Sequence, residues 1–222
     1  MTETTPKRQT APAHQAVATD YVGLGLRERQ KRTKEASILE AAARLLAERG
    51  YEAVTTQEIA DAAEVGNGTL FRYVGSKAEL LILVMNERLR LGTEAGIARA
   101  REGASPADAI LAMLMPIADE SRSHLENMVA YQRETLFGSG PQRDIALDRV
   151  AQLEVAIHAI LEFHAGRVSA RPGVDLGEVA HAIYATVYMD LVRVLAGRAL
   201  LSELPDRARR SIDFLVAGLI GM

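Results

Sequence analysis

Apolar residues recur three and four positions apart along almost the whole chain, and the period-two alternation of a half-buried strand is absent. Ile38, Ala42, Leu45 and Leu46 form the first strong stripe and predict a helix from about Thr33 to Arg49, stopped by Gly50 in a left-handed conformation. Thr55 and Glu58 have capping-box spacing and open a short second helix with Ile59, Ala60 and Ala63 inward. Glu64-Val65-Gly66 reads as a tight turn, and Asn67 to about Tyr73 as a third, short helix. Ser76 and Glu79 repeat the capping-box spacing and start a long fourth helix carrying Leu80, Leu81, Val84 and Leu91.

Longer helices follow. Ser105-Pro106 starts one through Ile110, Leu114 and Ile117, with Pro116 expected to kink it. Others are predicted from about Leu125 to Leu136 and Asp144 to His164. Asp175 caps a helix expected to reach Leu201, and Pro205 opens a last one with Ile212, Leu215, Val216, Leu219 and Ile220 on its apolar face. The fold class is therefore all-α. The expected division is a tail at 1–26, a small helical domain at 27–80 and a larger one at 81–222. The tail is rich in Thr, Ala, Gln and Pro without periodicity, the pattern of a flexible segment.

Composition narrows the chemistry. There is no cysteine, which removes disulfides, thiolate nucleophiles and cysteine-ligated zinc. No metal site or cofactor is expected: no phosphate-binding glycine loop is present, and His158 and His164 are too far apart to share one helix face. Apolar runs are too short to span a bilayer, and the first residues lack a signal-peptide core, so no membrane association and a cytoplasmic location are expected. The net charge of -3 means that any contact with DNA comes from a local patch on a mostly acidic body. The run Arg27, Arg29, Lys31, Arg32 and Lys34, ahead of the first predicted helix, is one such patch. It suits phosphate contact or entry into the minor groove.

Residues 55–77 carry the most specific signal. A short helix, a tight turn and a second short helix make a helix-turn-helix, with Ala60 and Ala63 small enough for a close crossing. The second helix would present Asn67, Thr69, Arg72 and Tyr73 to a major groove. Thr55-Thr56, Ile59-Ala60, Val65, Gly68-Thr69-Leu70, Tyr73, Ser76-Lys77 and Glu79-Leu80-Leu81 stand at the spacing found in the tetracycline-repressor family, which this segment resembles from about Thr33 to Leu83. Four positions depart from the family pattern: Glu64 for Gly, Gly66 for Ser, Phe71 for Tyr and Val74 for Phe.

The resemblance implies a transcriptional regulator rather than an enzyme, commonly a repressor. Its partners would be a palindromic double-stranded operator, a small-molecule effector and a second copy of the chain. It implies phosphate contacts from Lys77, Tyr73 and Thr56, and base or base-proximal contacts from Asn67, Gly68, Thr69 and Arg72, with Lys31 and Arg32 as further DNA-binding candidates. The last two helices become the candidate dimer interface through Ile183, Val187, Leu191, Leu215 and Leu219. Scattered polar groups in apolar surroundings make Met113, Tyr131, Glu134, Phe137, His158, Tyr184 and Tyr188 candidates for the effector site. The lack of a charged cluster there points to a fairly apolar effector. An adaptor with weakened DNA reading, or an enzyme, are the alternatives. Residues 64 and 66 are what keep the adaptor open.

Overall fold

Helix α1 (Leu26–Arg49) begins seven residues before the expected start at Thr33. Its first two turns have no apolar stripe, yet they are helical because their charges pair one turn apart. Arg32 lies 3.6 Å from Glu28 and Lys31 3.9 Å from Glu35, and such i,i+4 pairs support an exposed helix. The basic run therefore lies on α1 itself and is not an arm preceding it. The computed structural model describes residues 25–120, 124–168, 171 and 173–218, so most of the expected tail lies outside the described residues.

Helices α2 (Thr56–Ala62) and α3 (Asn67–Tyr73) follow as expected. Thr55 caps α2 with both halves of the capping box formed. The turn between α2 and α3 is a Schellman motif: the Val65 N–H donates to the Ala60 carbonyl at 2.9 Å and the Glu64 N–H to Asp61 at 3.1 Å. Glu64 takes the left-handed position with φ 55°. Ser37 on α1 donates to the Ala63 carbonyl at 3.2 Å and locks this turn to the first helix. Ile38, Leu46, Ile59 and Leu70 fill the space between the three helices.

Helix α4 (Lys77–Arg101) belongs to both halves of the molecule, its first turns closing the small core with Leu80 and Leu81. Only half of the capping box at its start forms. Ser76 Oγ accepts from the Glu79 N–H at 3.1 Å, while Glu79 accepts from the Gly75 N–H at 2.7 Å instead of from Ser76. Further along, α4 crosses α5 (Pro106–Glu120) with almost no gap. A Cβ at Gly96 would lie 2.7 Å from the Ala109 carbonyl oxygen, and one at Gly92 would overlap that of Met113. Helix α5 continues through Pro116 without interruption.

Around α4 and α5 stand α6 (Leu125–Phe137), α7 (Pro141–Ala165), α8 (Leu176–Leu195) and α9 (Leu204–Ala217), with no strand among the described residues. Helix α8 stops six residues short of the predicted end. Gly197 at φ 67° closes a Schellman motif in which Arg198 donates to the Arg193 carbonyl at 2.8 Å. A 3-10 turn, Leu201–Glu203, then leads into α9. Two ion pairs pin α9: Arg207 to Asp190 of α8 at 2.8 Å, and Arg209 to Asp108 of α5 at 2.7 Å.

The candidate dimer residues are turned inward. Ile183 is fully buried, Val187 nearly so, and Leu215 packs half-buried against the core; Leu219 lies outside the described residues. A helix covered by its own chain shows its strongest periodicity on that side, so the stripe read from the sequence marks the intrachain core. The large apolar side chains that α8 and α9 expose are Met189 and Phe214.

Candidate nucleic-acid interface and effector cavity

The outer face of the second helix-turn-helix element is built from residues that pack on nothing. Gly68, Phe71 and Arg72 are exposed, with Asn67 and Thr69 half-buried beside them. Arg72 donates to Thr69 Oγ1 at 3.1 Å, which holds the guanidinium along the helix surface. A side chain at position 68 would meet open space, so packing does not require this helical glycine. Phe71, nearly half exposed, was not among the candidates. The signal for it was present: it lies three residues after Gly68, on the side opposite the buried Leu70.

The supporting groups are tightly hydrogen-bonded. Arg49 binds Glu58 at 2.7 Å and the Ala53 carbonyl at 3.0 Å, while Glu58 also accepts from Thr55 through both its N–H and its hydroxyl at 2.8 Å. The hydrogen bond from Arg49, with those from Thr55, draws the Glu58 carboxyl down to a pKa of about 2. Thr56 opens α2 and is half-buried. Tyr73 packs against the core beside Ile38 and Val74, facing a cleft of about 310 Å³ between α1, α3, α4 and the start of α7. Lys77 points inward: its Nζ donates to the Tyr51 carbonyl at 2.7 Å and to that of Val54 at 3.0 Å, and lies 4.3 Å from the centre of the Tyr51 ring. Two of its three N–H groups are thus held within the chain.

A second site lies in the body. A cavity of about 320 Å³ is lined by α4 to α8, Leu201 of the 3-10 turn and Leu204 of α9, and among the described residues no charged side chain lines it. Met113, Tyr131, Tyr184 and Tyr188 of the expected effector residues do line it. Glu134, Phe137 and His158 do not: Glu134 pairs with Arg133 at 3.1 Å, Phe137 projects outward at the end of α6, and His158 faces Glu162 at 3.7 Å. Residues not foreseen complete the wall, among them Leu89, Gln132, Thr135 and Ile157, as do Val187 and Leu191 from the supposed dimer stripe. Tyr184 and Tyr188 stack with ring centres 5.9 Å apart. Tyr188 donates to Gln132 at 3.3 Å and Tyr131 to Asn86 at 3.3 Å. Burial pushes the Tyr131 phenol up to about 12, so it stays neutral. Among the described residues no cluster of His, Asp and Glu could hold a metal, and no helix is long and apolar enough to cross a membrane.

One hydrogen bond joins the two sites across 81 residues of sequence. Asn127, fully buried near the start of α6, donates to the Leu46 carbonyl in the last turn of α1 at 2.8 Å. Asn127, Tyr131 and Thr135 are four residues apart and share one face of α6. The same helix that walls the cavity is therefore bonded to the helix that supports the helix-turn-helix.

A helix-turn-helix on a larger helical body defines a DNA-binding regulator of transcription. Residues 38–84 match the family of bacterial regulatory proteins described as the tetR family. The chain is 28% identical over 195 residues to the HTH-type transcriptional repressor KstR of Mycobacterium tuberculosis, covering 88% of this chain and 82% of that one. Its fold is similar to Thermus thermophilus FadR in complex with lauroyl-CoA, with a TM-score of 0.62 and 20% identity over 85% of this chain and 96% of that one. It is also similar to Bacillus subtilis FadR in complex with stearoyl-CoA, with a TM-score of 0.60 and 19% identity over 83% and 99%. The chain thus carries a tetR-family segment at residues 38–84 and is similar over most of its length to transcriptional repressors and regulators that share this fold.

Proposed function

We propose that this protein is a homodimeric repressor that binds a palindromic operator and is released from it by a small, largely apolar effector held in the cavity of the body. Arg72, Asn67, Thr69 and Phe71 meet the base edges, with Phe71 placed against a thymine methyl group. A glycine inside a helix is unfavourable by roughly 1 kcal/mol relative to alanine. With open space beside it, Gly68 makes sense where another molecule comes close. Lys77, through its remaining N–H, Tyr73 and Thr56 stand toward phosphate, and Lys31 and Arg32 add charge along α1. A second copy covers the outward faces of α8 and α9 around Met189 and Phe214, leaving Ile183, Val187, Leu191 and Leu215 to the intrachain core.

The Asn127–Leu46 bond carries the coupling. A ligand that moves α6 moves the carbonyl end of α1, and with it the angle at which the recognition helix meets DNA. The effector acts through its different affinity for the two arrangements. The test is selection of bound sequences from a random duplex pool by the purified full chain at moderate salt. A palindrome with half-sites about 10 base pairs apart is expected. Recovery of no motif, with only weak, salt-sensitive binding, would overturn the reading in favour of a ligand-sensing adaptor.

A further inference from the structure

The cavity wall is apolar except for Tyr131, Gln132, Thr135, Tyr184 and Tyr188; Tyr188 is bonded to Gln132, whereas Thr135 is left incompletely bonded. Thr135 is 3% exposed and lines the cavity, yet its hydroxyl has no hydrogen-bond partner. The nearby Tyr131 phenol gives its proton to Asn86. Asn86, 7% exposed, accepts from the Tyr131 hydroxyl while its own amide N–H group is unpartnered. Buried polar groups in folded proteins are almost always satisfied, so two orphans beside Tyr131, Thr135 on the cavity wall and Asn86 off it, call for an explanation. Nothing in the packing of α4 on α6 favours them, since an apolar pair of the same size would fill the space without loss.

Resting on the reading of this cavity as the effector site, we propose that the effector carries an uncharged oxygen function, a hydroxyl or a carbonyl, and that Thr135 reads it. The Tyr131 proton is committed to Asn86, so the phenol offers its oxygen lone pairs and not its proton to the cavity. Thr135 offers both a donor and an acceptor. A hydroxyl satisfies both sides, donating to the Tyr131 oxygen and accepting from Thr135; a carbonyl accepts from Thr135 alone. An ionised group has no counterpart among the described residues, none of whose charged side chains lines the cavity. Burying a carboxylate or phosphate there unpaired would be strongly unfavourable. Any charged part of the ligand stays outside the enclosed space.

The test compares dodecan-1-ol with dodecanoate at neutral pH, by titration calorimetry on the full-length protein, Thr135→Val, Thr135→Ser and Leu114→Trp. Dodecan-1-ol is expected to bind wild type at least about tenfold more tightly than dodecanoate, and to weaken about five- to tenfold in Thr135→Val, the loss of one hydrogen bond. Thr135→Ser, which keeps the hydroxyl, should bind as wild type does and guards against an effect of misfolding. Equal binding of the alcohol by wild type and Thr135→Val, no binding of the alcohol by wild type, or preference for dodecanoate, overturns the proposal. Leu114→Trp fills the cavity from a half-exposed position. Unchanged binding in that variant overturns the cavity reading itself. Binding abolished there but untouched by Thr135→Val overturns only the role of Thr135.

Discussion

The two functional regions are built on opposite principles. Around the α2–α3 turn several polar side chains are tied down: Arg49 to Glu58, Glu58 to Thr55, Lys77 to the carbonyls of residues 51 and 54, Ser37 to Ala63. In the body the wall is largely apolar, and the Thr135 hydroxyl on it is left open. On the proposed function, a surface that meets DNA in a single geometry is held by local bonds, with Phe71 and Arg72 facing outward, and a cavity that changes when filled keeps bonding capacity in reserve. Rigid presentation and responsive reception are joined by α4 and by the bond from Asn127 to Leu46.

The largest effect expected on this division comes from Gly92→Ala. The new Cβ overlaps the Met113 carbonyl oxygen of α5, backbone against backbone, with nothing flexible to give way. Destabilisation of about 2–3 kcal/mol is expected, typical of overpacking. Thermal melts should show it, while DNA affinity of the protein that remains folded at low temperature should stay unchanged. A loss of DNA affinity with no loss of stability would mean that the α4–α5 crossing sets the recognition geometry directly, and the contrast between regions would fail.

Arg72→Ala should do the reverse. It removes an exposed guanidinium bonded only to Thr69, so stability should hardly change. Operator affinity should fall about 30-fold, the value of one good base contact at about 2 kcal/mol, with specificity relaxed at one base pair. A fall of equal size on every sequence would move Arg72 from base to phosphate.

How much of this was legible in the sequence differs between the regions for a physical reason. The helix-turn-helix depends on local chemistry: the Thr55–Glu58 capping box, the tight turn from residue 64 and the Asn67 start of α3 all lie where spacing placed them. Where local pattern and tertiary packing compete, sequence alone falls short. Charge pairs without an apolar stripe hid the first turns of α1. Gly197 ended α8 early because a Schellman motif outweighed an apolar run continuing to Leu201. Asp190 of α8 pairs with Arg207 of α9, a contact between helices that local spacing does not show. The cavity was legible by composition but not by membership. Helical periodicity tells which residues turn inward, not which of those border empty space, so Thr135 and Leu89 went unseen while His158 and Phe137 were included.

A smaller effect, of opposite sign, is expected at the turn itself. Among the described residues, Schellman motifs close helices at residues 64, 103 and 197, and those at 103 and 197 place glycine in the left-handed position. Glu64 is the exception, and a residue with a Cβ is strained there by about 1–2 kcal/mol. Glu64→Gly should raise stability by about 1 kcal/mol after the added backbone entropy of the unfolded chain is deducted. Chemical denaturation with unchanged slope would show it. Operator affinity should stay level or improve, because an acidic side chain beside the recognition helix is also removed. A loss of stability would mean that Glu64 makes a compensating interaction and that its strain is offset locally.

The smallest effect tests whether the saturated bonding of the first region matters energetically at all. Glu58 is drawn down to a pKa of about 2 chiefly by Arg49 and then by Thr55, yet its side chain is 38% exposed, where ion pairs contribute little. The sign is fixed by linkage. A carboxyl with a lower pKa in the folded than in the unfolded state stabilises above its unfolded value of 4.5, and that contribution fades as pH falls toward 2. Glu58→Gln should therefore melt slightly below wild type at pH 7, with the gap narrowing below pH 4.5 and closing near pH 2. If the gap is constant with pH, the bond from the Thr55 N–H and not the charge of Glu58 holds the start of α2. The DNA-reading unit would then be rigid through capping alone, with the Arg49–Glu58 pair a solvated ornament on its surface.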